Sequence, residues 1–154
     1  MDDFSTPGSV NIYGIPPSEV NYIKPGKRPM SSMAPTIIVN KEGNVDLVIG
    51  SAGGSRITTA IANTIINYYF FKSNESLWNN FGSKRLHHQL IPNKLYFEKG
   101  FDENIVKELN TTFKHPIEMV TQTIGFGALV GVYVDKDSVQ SAYDPRRGGS
   151  SVVF

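Results

Sequence analysis

Apolar and polar positions along this chain change period several times, and each change predicts an element. Thr36 to Asn40 (TIIVN) is a short β-branched run, Lys41 to Asn44 a polar turn, and Val45 to Gly50 (VDLVIG) a second apolar run. β-Branched residues favour extended backbone, so the two runs predict a hairpin. Both are nearly continuous rather than alternating, which predicts burial on both faces of the sheet. From Ser55 to Phe71 the period becomes helical. Arg56, Thr59, Asn63 and Asn67 recur at steps of three and four, while Ile57, Ala60, Ile61, Ala62, Ile65, Ile66, Tyr68 and Phe70 fill most of the remaining surface. A narrow polar stripe on a wide apolar surface predicts a mostly buried helix.

A shorter helical piece is expected from about Asn74, with Leu77, Trp78 and Phe81 inward, and Leu95 to Glu98 is a strand candidate. Asp102 reads as an N-cap for a helix with Ile105, Val106, Leu109 and Phe113 on its apolar face and Phe101 placed to staple onto Val106. Ile124 to Val134 alternates strictly. Ile124, Phe126, Ala128, Val130, Val132 and Val134 share the face expected on a core, and Gly125, Gly127 and Gly131 lie on the other, where a second backbone or helix can approach. Asp135 to Ser138 turns the chain into a last strand, Val139 to Tyr143. Residues 1–35 carry Pro7, Pro16, Pro17, Pro25, Pro29 and Pro35, which exclude a long helix or central strand. They predict an extended segment laid against an α+β core over 36–154, in one domain with it. The order β, β, α, α, β, α, β, β predicts hairpins rather than βαβ crossovers.

Composition narrows the function. The 154 residues suit one domain, and 40% apolar with 19% charged is an ordinary globular balance. A net charge of +1 gives no drive toward nucleic acid, so none is expected as a partner. The absence of cysteine excludes disulfides, thiolate metal sites and a Cys nucleophile. No apolar run approaches the roughly 18 residues of a membrane span, and the Met-Asp-Asp-Phe-Ser start does not read as a secretion signal. Asn74 and Asn110 each open a glycosylation triplet.

Four stretches offer chemistry. In GSAGGSRITT (50–59), Gly53 and Gly54 stand between a strand and a helix. Free main-chain N–H groups at such a junction suit an anion, or a carbonyl oxygen turning negative during acyl transfer; two glycines in a tight turn are the plainer reading. No Gly-Lys-Ser/Thr follows, so the stretch is not a P-loop. Ser31 and Ser32 offer paired hydroxyls for a carboxylate, or turn-capping oxygens. Asp2 and Asp3 beside Phe4 offer carboxylates for an ammonium group, or a solvated acidic terminus. His87 and His88 are consecutive and point apart, and no metal-ligand spacing surrounds them, so no metal or other cofactor is expected. In Asp144-Pro145-Arg146-Arg147-Gly148-Gly149, an Asp and an Arg either side of a turn are expected to make a local ion pair.

Taken in order, these pieces resemble the small catalytic subunit of γ-glutamyltranspeptidase (γ-glutamyltransferase, glutathione hydrolase). The stretches that carry the resemblance are MDDFS at 1–5, the Gly14 to Pro17 segment, KPGKRPMSSMAPTI at 24–37, GSAGGSRITTA at 50–60, RLHHQLIPN at 85–93 and DPRRGG at 144–149. The resemblance implies part of an αββα sandwich of the N-terminal-nucleophile hydrolase type. It implies that Ser31 and Ser32 bind the α-carboxylate of a γ-glutamyl group, that Asp3 holds its α-ammonium, and that Gly53 and Gly54 form the oxyanion hole, with Gly54 also counted as substrate-binding. It implies glutathione and other γ-glutamyl compounds as donors, and amino acids or peptides as acceptors. The implied partner is the large subunit of the same precursor, at the outer face of the plasma membrane or in secretion. The family's nucleophile is a threonine upstream of the MDDFS stretch, and no residue among the 154 matches it. The chain is therefore expected to be inactive alone, either as part of the enzyme or as a catalytically silent γ-glutamyl-binding or structural module.

Overall fold

The computed structural model describes residues 2–71, 76–121, 123–136 and 138–153. The predicted hairpin forms from β1 (Thr36–Val39) and β2 (Val45–Ala52), which pair antiparallel with an irregularity between Ile38 and Val39. β6 (Ala128–Asp135) adds to the far side of β2, and β7 (Ser138–Tyr143) adds to β6, giving a four-stranded sheet of order β1-β2-β6-β7. A second sheet has the order β3 (Leu86–His87), β4 (Leu95–Glu98), β5 (Ile117–Val120). Both sheets together with the helices make an α+β fold.

A 3-10 turn (Gly54–Arg56) leads into α1 (Ile57–Ile66), which widens into a π-helical turn over Asn67–Phe71. The apolar surface of α1 meets the four-stranded sheet: Ile57, Ala60 and Ile61 share one buried cluster with Leu47, Ile49 and Leu129. The polar stripe faces the small sheet. Asn63 Nδ2 donates to the Leu86 carbonyl (3.0 Å), and Thr59 Oγ1 lies 2.7 Å from His87 Nδ1. The stripe is thus the hydrogen-bonding face toward β3 rather than a solvent face, and the helix is less buried than expected, with Ala62, Ile66 and Phe70 exposed.

α2 (Leu77–Gly82) is capped by Ser76, whose Oγ accepts from the Asn79 N–H; the expected start at Asn74 lies outside the described residues. Leu77 and Phe81 are buried, but Trp78 is 42% exposed and rests edge-on against Tyr143, contrary to the inward placement expected. α3 (Glu103–Thr111) follows the predicted cap, with Asp102 Oδ1 accepting from Asn104 and Ile105 N–H groups. Of its expected apolar face, Val106 is buried while Ile105 and Phe113 are exposed.

Three further sequence expectations are overturned. The β4-α3-β5 unit pairs β4 parallel to β5, so the chain contains a βαβ crossover as well as hairpins. β5 escaped prediction because Glu118 and Met119 interrupt the alternation between Ile117 and Val120. The large sheet is not buried on both faces among the described residues: Ile37, Val48, Val130 and Val139 are 65%, 41%, 59% and 46% exposed. The faces of β6 are also exchanged. Residues 123–126 are a 3-10 turn that breaks the alternation, and the core side carries Leu129 and Gly131, while Val130 faces out. The glycine does admit a close neighbour, as expected: a Cβ at Gly131 would fall 2.9 Å from Phe81 Cζ. Residues 2–35 carry no helix or strand beyond one 3-10 turn (Glu19–Asn21) and a Thr6–Ser9 bridge among the described residues. Ser5 is buried there and bonds Ser18 in both directions.

Candidate active site

β2 runs out into the glycine pair. Gly53 has φ 149° and ψ 23°, and Gly54 has φ 59°, both in the region that side chains disfavour. Space demands glycine as well. A Cβ on Gly53 would lie 2.7 Å from Gly127 Cα, so two main chains cross in contact. A Cβ on Gly54 would lie 1.9 Å from the Tyr13 hydroxyl, so that phenol covers the bend.

The hydrogen bonds leave one side of the bend unspent. The Gly53 carbonyl accepts from the Arg56 N–H (3.2 Å) and the Gly54 carbonyl from the Ile57 N–H, both in the first turn. Among the described residues, neither glycine N–H donates to a protein acceptor. These two donors stand where a strand feeds the amino end of α1, the positive end of its dipole.

The remaining predicted residues are arranged around this bend to different degrees. Phe4, adjacent to Asp3, stacks on Tyr13 with centroids 5.7 Å apart, which joins the Asp2–Ser5 turn to the ring over Gly54. Asn11 shapes this turn: its amide donates to the Phe4 carbonyl, and its Oδ1 accepts from the Tyr13 and Ile15 N–H groups. Asp3 is exposed, on a cavity of about 230 Å³ that Asp2, Thr6, Ser9 and Asn11 also line. Ser31 and Ser32 lie in the irregular segment that leads into β1. Because Thr36 pairs with Ile49 antiparallel, that approach lies at the same end of the sheet as the Gly53–Gly54 exit. Ser31 Oγ accepts from the Met33 N–H (3.1 Å), the turn-capping use, and Ser32 is half-buried. Among the described residues no hydrogen bond links either serine to Asp3, Gly53 or Gly54.

Behind the bend lies an ionic cluster that sequence reasoning caught only at its edge. The local Asp144–Arg146 pair exists at 3.0 Å, but Asp144 also binds Arg85 (2.6 Å), and Arg146 binds Glu98 (2.6 Å). All four side chains are buried. Burial alone would raise the Asp144 carboxyl, but the Arg85 charge and the Arg146 N–H outweigh it and hold it below the usual range. Arg85 also donates to the carbonyls of Phe126 and Gly127, both at 3.2 Å. The cluster thereby fixes the glycine against which Gly53 packs. Arg56 donates to the Gly125 carbonyl, with its guanidinium 5.5 Å from the Tyr96 and Phe126 ring centres. Nothing in the sequence paired Arg85 with Asp144, since 59 residues separate them. Among the described residues no group of three or more His, Asp or Glu is placed to hold a metal ion.

The family model described as Gamma-glutamyltranspeptidase matches residues 1–154. The chain belongs to that family. Scoloptoxin SSD14 of Scolopendra dehaani is 43% identical over 153 residues, covering 97% of this chain and 25% of its own length. Glutathione hydrolase proenzyme 1 of Schizosaccharomyces pombe is 40% identical over 154 residues, covering 100% of this chain and 24% of its own. The chain thus spans about a quarter of these relatives. Among solved structures, γ-glutamyltranspeptidase from Pseudomonas nitroreducens, complexed with L-DON, superposes with a TM-score of 0.80 at 34% identity, over 99% of this chain and 78% of that one.

Proposed function

We propose that this chain forms the substrate-binding and oxyanion-stabilising side of a γ-glutamyltranspeptidase site that cleaves the γ-glutamyl bond of glutathione. The observation that carries the reading is the pair of N–H groups at Gly53 and Gly54 that find no protein acceptor among the described residues, at positive φ values that favour glycine. In this reading the γ-glutamyl carbonyl oxygen rests against those donors. Ser31 and Ser32 take the α-carboxylate through hydroxyl donors, and Asp3 takes the α-ammonium. The nucleophile is the threonine expected by resemblance, from the part of the relatives' length outside these 154 residues, with its own amine as base. The acyl-enzyme is resolved by water or by an acceptor amino acid or peptide. Each oxyanion donor is worth about 3–4 kcal/mol of transition-state stabilisation.

The same reading completes an αββα sandwich of the N-terminal-nucleophile type. Its support is the outward apolar face of the large sheet, where Ile37, Val48, Val130, Val132 and Val152 line a groove of about 490 Å³. A second sheet contributed by the remainder of the precursor, including its large subunit, would bury that face. Location at the outer plasma-membrane face or in secretion goes with this proposal; Asn110 is exposed on α3, though its amide donates to the His115 carbonyl.

The test is release of 4-nitroaniline from a γ-glutamyl anilide by this chain assembled with the rest of the precursor. Turnover that falls when Ser31 and Ser32 are both replaced by Ala supports the proposal. Binding of glutathione without turnover identifies a silent module instead.

A further inference from the structure

Gln89 lies half-buried between the glycine bend and the amino-terminal segment, and every hydrogen-bonding position of its amide is used. Oε1 accepts from Ser55 Oγ (2.8 Å) and pairs with His87 Nε2 (2.8 Å). Nε2 donates to the carbonyls of Tyr13 (2.6 Å) and Ile91 (2.8 Å). The orientation of the amide follows from these partners. Reversing it would set its oxygen against two carbonyl oxygens, neither of which has a proton to give. With oxygen on the His87 side, His87 must carry its proton on Nε2, and Nδ1 then accepts from the Thr59 hydroxyl at 2.7 Å. Burial, with the charges of Arg56 and His88, pushes the imidazole down against the opposing effect of Gln89, so the neutral ring persists at physiological pH.

The partners of this amide stand on both sides of the bend. Ser55 follows Gly54 directly, so its bond fixes the main chain below. Tyr13 covers Gly54, and its bond, made by the main-chain carbonyl, holds the backbone that carries the ring above. Asn11 and Phe4 hold Tyr13 within its own segment, whereas Gln89 ties it to β3 and the 3-10 turn before α1. We propose that Gln89 is a positioning residue for the γ-glutamyl site, a four-point clamp that fixes Tyr13 over Gly54 and sets how segment 1–35 meets the oxyanion bend. The inference rests on the functional reading above.

Two measurements test it. In the isotopically labelled chain, nuclear Overhauser contacts between the Tyr13 ring and Gly54 are compared in wild type, Gln89→Leu and Ser55→Ala, with Phe81–Gly131 contacts reporting the core. The clamp predicts loss of the Tyr13–Gly54 contact in Gln89→Leu and weakening in Ser55→Ala, with the core contacts kept. An intact Tyr13–Gly54 contact in both variants overturns it. In the assembled enzyme, Gln89→Met should lower kcat on the order of 100-fold, the cost of misplacing reacting groups by about 1 Å, with KM changed less than about threefold because the amino-acid head keeps its ligands. Unchanged kcat, or a rise in KM alone, overturns the positioning role. A wild-type assembly without turnover would sink the functional reading while leaving the contact measurement readable.

Discussion

Replacing Gly53 with Ala is the sharpest test of the bend. The conformation at φ 149°, ψ 23° costs a side-chain-bearing residue about 1–3 kcal/mol. The new Cβ would lie 2.7 Å from Gly127 Cα, an atom with no rotamer to change. Gly127 cannot retreat cheaply, for its carbonyl accepts from buried Arg85 (3.2 Å) and its own Cβ position lies 3.0 Å from Ser51 Oγ. Overpacking of this kind costs about 1–3 kcal/mol. A loss of about 2–6 kcal/mol follows, lowering Tm by about 4–24 °C in a domain of this size. Gly54→Ala is the internal control: φ 59° is left-handed and costs about 1–2 kcal/mol, but the obstructing Tyr13 phenol can swing aside. The assay is urea unfolding followed through Trp78, the chain's single tryptophan, which packs on Tyr143 with ring centres 4.7 Å apart. A Gly53→Ala stability within about 0.5 kcal/mol of wild type, the range of an inert surface change, would refute the crossing of main chains.

Asp144→Asn should cost about 3–5 kcal/mol, because it leaves Arg85 buried without its countercharge. The depressed Asp144 value also fixes a sign. Its contribution is complete above the ordinary carboxylate pKa of about 4 and is lost as pH falls through the lower folded value, so acid unfolding of wild type should be steeper than that of Asp144→Asn, as read by circular dichroism. Gly131→Ala should lose about 1–3 kcal/mol in urea titration, since the added methyl meets both Phe81 Cζ and the Val48 carbonyl at 2.9 Å. Asp102→Ala should cost about 1 kcal/mol by removing the cap of α3, seen as faster amide exchange at Asn104 and Ile105.

The hairpin, the α1 stripe and the Asp102 cap were legible because each is a local pattern: side-chain branching, a helical period, an oxygen two residues before an N–H. The failures share a different cause. Which face of β6 turns inward depends on Gly127 ending the 3-10 turn and on Phe81 arriving from α2, and alternation alone is symmetric between the faces. β5 is set by its partner β4 rather than by its own residues. The site divides the same way. Gly53 and Gly54 announce themselves as a glycine pair, but their need for glycine comes from Gly127 and Tyr13, more than 70 and 40 positions away respectively. Gln89 stands in the RLHHQLIPN stretch but no role could be read for it there, because an amide's importance lies in four partners drawn from three separate stretches.

The central claim is tested most directly by a crystal structure of the assembled enzyme holding a tetrahedral γ-glutamyl analogue. The account predicts the analogue's oxyanion about 2.7–3.1 Å from the Gly53 and Gly54 nitrogens, its carboxylate on the Ser31 and Ser32 hydroxyls and its ammonium on Asp3. An oxyanion held by other donors, with the two glycine N–H groups turned away from it, would contradict the account.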